Sequence, residues 1–317
     1  KTMLMMKGRF APSPSGRMHL GNVYTALLSW LSVRRQGGKW ILRIEDLDPQ
    51  RSKLEHARMI EDDLRWLGLE WDEGGLDDPG PDGPYRQSLR SSFYEAFLAR
   101  LKATGYTYQC YCTRAEIMAT QAPHQSDGRI IYAGTCRPAR IGPGVEASGH
   151  HSADVSAMPS VDCGGGDAST PGATRLCVPD RNIEFDDMVC GHCSFNLARE
   201  VGDFVLRRAD GAWAYQLAVV VDDALMGVTE VLRGDDLLLS AAQQIYLYEL
   251  LGFEPPRFAH VPLVRNEEGR RLSKRDASLS MAFLRGHFSP EEVIGMAAFR
   301  AGLIPEEAPV KLHELQL

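Results

Sequence analysis

Two short segments of this sequence carry residue types suited to holding a polyphosphate. The first, Arg9-Phe10-Ala11-Pro12-Ser13-Pro14-Ser15-Gly16-Arg17-Met18-His19-Leu20-Gly21-Asn22, stands between a strand pattern and a helix pattern. A helix N-terminus offers unpaired backbone N–H groups and the positive end of a dipole. Gly21 lets a flat ligand approach that backbone closely, and His19 can donate a hydrogen bond to a phosphate. The second segment, Gly269-Arg270-Arg271-Leu272-Ser273-Lys274-Arg275, concentrates cations where a serine and a glycine permit a loop. Singly, a loop histidine reads as a structural or solvated residue and a basic turn as a solvated one. Together, they fit a device that holds a triphosphate from two sides and stabilises charge as pyrophosphate leaves.

Sulfur forms the third constellation. Seven cysteines cluster between positions 110 and 193. Residues 3–6 are too short for a secretory h-region, so the clustering is expected to mean metal or free thiols and not a disulfide framework. Cys110-x-Cys112 followed by Cys136 has the spacing of a zinc knuckle that lacks one ligand. A competing set is Cys190-Gly191-His192-Cys193 with Cys177 or Cys163, whose C-x-x-C spacing also suits zinc. His150-His151 sits in a low-complexity segment, where no specific role is expected.

The elements that must position these groups can be read from periodicity. Residues 8–11 form a strand, a Pro/Ser/Gly loop follows, and from Asn22 Val23, Ala26, Leu27, Trp30 and Leu31 share one helix face until Gly37-Gly38. Residues 39–44 form a second strand, ending in Glu45-Asp46-Leu47-Asp48-Pro49. In a parallel sheet that order brings the first loop and the end of the second strand to one carboxyl edge, where ligands bind. Helices are expected at 53–67, 91–104, 238–251 and 289–301. The last opens with a hydroxyl at the N-cap, Pro290 at the first helical position and Glu292 at the third. Strands are expected at 203–208 and 214–221, the latter because Leu217-Ala218-Val219-Val220-Val221 suits a strand buried on both faces. There the parallel sheet is expected to resume. Residues 140–174 lack periodicity and read as a long loop or insertion.

The fold expected is therefore α/β, a Rossmann-like doubly wound parallel sheet split by an inserted α+β subdomain that carries the zinc site, with a short helical tail. The division is 1–105 and 201–265 for the two halves of the catalytic unit, 106–200 for the insertion and 266–317 for the basic loop and tail. At 317 residues, with 44% apolar and 24% charged residues, the chain can bury a large core. Its net charge of −7 argues against an overall basic coat but allows a local basic groove. No apolar run reaches the length of a membrane span. A cytoplasmic, monomeric protein is expected, and Lys1-Thr2, ahead of the first methionine, are either an added remnant or the end of a longer product.

His19-Leu20-Gly21-Asn22 resembles the HIGH signature, and Arg271-Leu272-Ser273-Lys274-Arg275 the KMSKS signature, of class I aminoacyl-tRNA synthetases. Arg9-Phe10-Ala11-Pro12-Ser13-Pro14, Arg43-Ile44-Glu45-Asp46-Leu47-Asp48, and Val219-Val220-Val221-Asp222-Asp223 with Val231-Leu232-Arg233-Gly234 are similar to the glutamyl and glutaminyl group. The resemblance implies Arg9 and Arg233 for carboxylate recognition, Ser13 and Glu45 near an α-amino group, and Tyr215 as a phenolic donor. It implies His19, Gly21, Asn22 and Lys274 at ATP, with Mg²⁺, and His19 and Lys274 as the catalytic pair. Glutamate, with two carboxylates and an ammonium, needs such a guanidinium and anion set. The Cys110, Cys112, Tyr132, Cys136 pattern is similar to that of glutamyl-queuosine tRNA(Asp) synthetases, in which the tyrosine completes a structural Zn²⁺ site. With about 42 residues after Arg275, the chain looks like a catalytic half alone, a further likeness to that family. The resemblance implies tRNA-independent activation of glutamate by ATP and transfer to queuosine in the anticodon loop of tRNA(Asp). The alternatives are a truncated glutamyl-tRNA synthetase charging tRNA(Glu), an inactive nucleotide-binding paralogue, and a tRNA-independent ligase of the same superfamily. Two departures stand out: Arg271 replaces the usual first lysine of the second signature, and the segments 113–131 and 140–174 are longer than the family's.

Overall fold

The computed structural model describes residues 5–119, 131–142, 171–264 and 277–315. Arg270, Arg271, Ser273, Lys274 and Arg275 lie outside these residues, as do His150, His151 and Cys163.

In chain order the elements are β1 (Lys7–Phe10), α1 (Leu20–Arg35), β2 (Lys39–Leu42), α2 (Leu54–Trp66), β3 (Glu73–Gly74), α3 (Ser91–Ala103), β4 (Thr107–Cys110), α4 (Arg114–Ala119), β5 (Ala173–Leu176), β6 (Asn182–Asp187), β7 (Gly191–Asn196), α5 (Leu197–Glu200), β8 (Phe204–Arg207), α6 (Tyr215–Leu225), β9 (Glu230–Gly234), α7 (Leu238–Leu251), β10 (Arg257–Val261), α8 (Met281–His287) and α9 (Pro290–Arg300). A five-stranded sheet runs in the order β10-β9-β1-β2-β3, with every pairing parallel. The chain leaves β1 toward β2 on one side, while β9 lies on the other. This is the topological switch point, where the carboxyl ends of the strands leave a crevice.

Two apolar clusters cover the sheet. One gathers α1, α2, α8 and α9, with Val23, Leu27, Trp40, Val293 and Ala297 among its members. The other gathers α3, α6 and α7, with Tyr94, Leu217, Val220 and Leu247. Gly8 permits the first packing, because a Cβ there would overlap the Val33 side chain of α1. The expected start of α9 is present: Ser289 Oγ accepts the Glu292 N–H, and a Glu292 carboxylate oxygen accepts the Ser289 N–H at 2.7 Å.

The run Leu217-Ala218-Val219-Val220-Val221 departs from expectation, because it lies within helix α6 and not in a strand. Its residues are all but fully buried, since α6 is wedged against both α3 and α7. A short segment that is apolar all round has no period by which to separate buried helix from buried strand, and tertiary burial overrides the β-propensity of three valines. The strand at 203–208 does form, as β8, but it pairs antiparallel with β5 in a small β4-β5-β8 sheet. The parallel sheet resumes only at β9. Hairpin β6–β7 stands apart as a two-stranded ribbon whose inner end meets β10, where the Met188 N–H donates to Phe258 O at 2.8 Å.

Candidate active site and metal cluster

The loop after β1 is tied along the extension of β2. Arg43 N–H donates to Phe10 O and Glu45 N–H to Pro12 O, each at 3.0 Å. His19 is the N-cap of helix α1, and its backbone N–H donates to Asn22 Oδ1 at 3.0 Å, so Asn22 caps the helix as well as lining the crevice. The backbone of His19 bridges to Ser280, and Met281 N–H donates to Met18 O at 2.9 Å, which fastens α8 beside this loop.

A cavity of about 420 Å³ opens at the switch point. Arg9, Ser13, His19, Gly21, Asn22, Glu45, Tyr215 and Arg233 all line it. Thus every candidate amino-acid or nucleotide contact within the described residues shares one wall, although they come from β1, its loop, α1, the segment after β2, α6 and β9. Lys274, in the basic segment, lies outside the described residues. A second cavity, about 820 Å³, shares Ser13, Glu45 and Tyr215 with the first and is otherwise walled by Arg51, Arg208, Asp210 and Trp213, among others.

Beneath the cavity lies a buried ionic network that local sequence does not announce. Asp223 of α6 accepts Arg43 Nη1 at 2.6 Å and Arg9 at 3.3 and 3.4 Å. Arg43 Nη2 also reaches Glu45 at 3.1 Å. Asp222 takes Arg90 at 2.6 Å, Gln87 at 2.8 Å and Tyr94 Oη at 2.8 Å. Burial alone pushes the Asp223 carboxyl up, but Arg43 and Arg9 outweigh it and hold it below its ordinary value. At Glu45 burial wins over Arg43 and Arg9 and the carboxyl is raised. Burial also raises the Tyr215 phenol, with the Glu45 charge adding to it, so Tyr215 is a protonated donor. The only sequence signal for this network is the adjacent pair Asp222-Asp223 closing an apolar run, where a buried acid demands a cation.

Arg233 is bonded differently. Its Nε donates to His260 Nε2 at 3.0 Å, Nη2 points to Leu237 O at 3.4 Å, and the guanidinium lies 5.3 Å from the centre of the Phe258 ring. Its Nη1 is buried without a hydrogen-bond partner.

The cysteine set also converges. The sulfurs of Cys110, Cys112 and Cys136 lie within 4.8 Å of one another. Tyr132 Oη stands 3.3 Å from Cys110 Sγ and 3.7 Å from Cys112 Sγ, and accepts the Cys136 N–H at 2.8 Å. Three thiols and a phenol facing one point form a donor set that could bind a metal, and a soft tetrahedral ion such as zinc fits it. Among the described residues the competing set does not assemble, and Cys163 lies outside them. Cys190 Sγ is turned to His260 O at 3.4 Å, His192 pairs with Asp186 at 3.1 Å, and Cys177 lies against Arg137.

A parallel sheet with its crevice at the switch point, an α1 N-terminus facing it and buried arginines along its wall define a nucleotide-using α/β enzyme site. The chain belongs to the tRNA synthetases of class I (E and Q), whose catalytic-domain model matches residues 5–309. It is 48% identical to the glutamyl-Q tRNA(Asp) synthetase of Symbiobacterium thermophilum over 98% of its own length and 91% of that protein's. It is 45% identical to the glutamyl-Q tRNA(Asp) synthetase of Nitratidesulfovibrio vulgaris, over 96% and 89% of the two chains. A crystal structure of a glutamate tRNA ligase from Elizabethkingia meningosepticum in complex with its amino acid superposes with a TM-score of 0.77 at 30% identity. It matches 98% of this chain, which spans 63% of that ligase. No helix among the described residues is long and apolar enough to cross a membrane.

Proposed function

We propose that this enzyme activates L-glutamate with ATP without needing tRNA and transfers the glutamyl group to queuosine in the anticodon loop of tRNA(Asp). The observation that carries this is the convergence of Arg9, Ser13, His19, Glu45, Tyr215 and Arg233 on one 420 Å³ cavity, in a chain so similar to proteins of that name. Arg9 and Arg233 are the carboxylate partners, and Glu45 with Ser13 faces the ammonium. Tyr215 donates from the base of α6. His19, Gly21 and Asn22 at the start of α1 receive the ATP phosphates, Lys274 approaches them from the basic segment, and Mg²⁺ arrives with ATP as part of the substrate.

In the first step an oxygen of the glutamate α-carboxylate attacks the α-phosphorus, the bond to the bridging oxygen of the β-phosphate breaks, and pyrophosphate leaves with its charge met by His19 and Lys274. In the second, a hydroxyl of the queuosine cyclopentenediol attacks the acyl carbon of the adenylate, AMP departs, and the hydroxyl proton passes to solvent. Positioning and electrostatics supply most of the acceleration. The 820 Å³ cavity beyond Ser13, Glu45 and Tyr215 gives the acceptor nucleoside a route to the acyl carbon. Cys110, Cys112, Cys136 and Tyr132 would hold one structural Zn²⁺, which would clamp β4 to the segment after it. A monomeric, cytoplasmic enzyme with the four-part division 1–105, 106–200, 201–265 and 266–317 completes the reading.

Incubation with ATP, radiolabelled glutamate and total tRNA from cells with and without queuosine tests it. Label is expected only on queuosine-containing tRNA(Asp). Label on tRNA(Glu) from either source would overturn the choice of acceptor, and absence of ATP–pyrophosphate exchange with glutamate would overturn the activity.

A further inference from the structure

We infer that Asp187 and His260 form a positioning relay that aims Arg233 into the amino-acid cavity and keeps its charge free for a substrate carboxylate. The inference rests on the activity proposed above and adds to it two residues that contact neither nucleotide nor acceptor cavity.

The hydrogen-bond directions are forced from both ends. Asp187 Oδ1 accepts the backbone N–H groups of Val189 and Cys190 at 2.9 Å and of His260 at 3.1 Å. Burial works against its charge, but these donors and the imidazole outweigh it, and the carboxyl sits below its ordinary value. Its Oδ2 lies 2.6 Å from His260 Nδ1, so a carboxylate there requires Nδ1 to carry the proton. At the other face a guanidinium can only donate, and Arg233 Nε, 3.0 Å from His260 Nε2, requires that nitrogen to be bare. A neutral imidazole protonated on Nδ1 meets both demands and no other state does. Burial, with Arg233 and Arg9 beside it, favours that neutral form over the pull of Asp187.

The consequence lies in what Arg233 is denied. Arg9, the other cavity arginine, has its charge bound to Asp223. Arg233 is 95% buried, yet its partners within the described residues are an imidazole nitrogen, a carbonyl and an aromatic face, all uncharged. The imidazole inserts a neutral group where a direct Asp187 contact would have neutralised it. A buried guanidinium with no anion in hydrogen-bond contact is costly, and because Arg233 lines the cavity a substrate carboxylate bound there would relieve that cost. Asp187 comes from hairpin β6–β7, outside the parallel sheet, so the relay also makes the ribbon part of the amino-acid site.

The test is Asp187→Asn in the full-length protein, with steady-state ATP–pyrophosphate exchange. The asparagine oxygen can keep the three backbone N–H bonds, but its amide then donates to His260 Nδ1, moves the imidazole proton to Nε2 and sets it against Arg233 Nε–H. The KM for glutamate is expected to rise about tenfold to a hundredfold, the scale of one misdirected bond to a buried charge, with the KM for ATP unchanged. In wild-type protein, ¹⁵N NMR of the ring nitrogens should show His260 protonated on Nδ1 alone. An unchanged glutamate KM in folded variant, an equal rise in both KM values, or an Nε2–H imidazole in the wild type would overturn the relay. Should wild-type protein exchange no pyrophosphate with glutamate, the proposed activity fails, and the NMR tautomer still decides the relay.

Discussion

Arg43 and Asp223 lie 2.6 Å apart across 180 residues of sequence, each with a side chain no more than 2% exposed. Asp223 also holds Arg9, so one carboxylate on α6 anchors guanidinium groups from β1 and from the end of β2. Breaking a buried pair by removing one partner leaves an uncompensated charge. Asp223→Ala is therefore expected to lower stability by about 3–5 kcal/mol, read from urea midpoints. A loss below about 1 kcal/mol would place the pair among ion pairs of little consequence.

Arg233→Lys keeps the charge but not the fork. A lysine cannot donate from Nε to His260 while offering a second donor to the cavity. The KM for glutamate should rise at least about tenfold with the KM for ATP little changed, and a rise confined to ATP would remove Arg233 from the amino-acid pocket.

Lys274→Ala should leave the fold and glutamate binding intact while slowing ATP–pyrophosphate exchange about 10²- to 10³-fold, the usual cost of one lost donor to transition-state charge. Near-normal exchange would end the assignment of the basic segment to ATP.

Freshly purified protein should contain one zinc per chain. Cys112→Ser should lose it, and the melting temperature should fall with it, because metal affinity in such a site is folding energy. Metal analysis near zero in the wild type would refute the zinc site, leaving three thiols and a phenol.

His260 gives a pH signature. Burial, Arg233 and Arg9 place its pKa below the unfolded value despite Asp187. Below about pH 6.5 the unfolded chain therefore takes up a proton that the folded chain still refuses, and stability falls as pH falls through that window. Asp222 and Glu45, raised by burial, act in the opposite sense but are common to wild type and variant. Between pH 7.5 and 5.5 the wild type should lose more stability than His260→Gln, measured by denaturant midpoints, and equal slopes would show that His260 does not titrate in this way.

Much of this protein could be read along the chain. The helices α1, α2, α3, α7 and α9 announce themselves through apolar period and end signals, because those are settled within a turn or two of backbone. Cysteine spacing left two sets open; the one that assembles, Cys110, Cys112 and Cys136, needs only one loop for a C-x-C pair to meet a later cysteine, and Tyr132 was named by the family resemblance alone. The family resemblance of the segments around Arg9, His19, Glu45 and Arg233, and not the spacing of residue types alone, named the candidate cavity wall. What could not be read was α6, whose apolar run has no period, and the placement of β8 in a separate antiparallel sheet, because pairing partners are chosen by long-range contact.

The partners of the arginines were decided by tertiary structure alone. Arg9, Arg43 and Arg233 have the same side chain, and although the family motifs single out Arg9 and Arg233 for carboxylates, nothing beside them in sequence says what each is paired with. Folding brings Asp223 to the first two and the neutral face of His260, backed by Asp187, to the third. Arg43 lies wholly within the buried network, Arg9 lines the cavity while sharing its charge with Asp223, and Arg233 reaches the same cavity hydrogen-bonded only to uncharged groups. That difference depends on distances of a few ångströms between residues 27 to 214 positions apart, which only the packed chain sets.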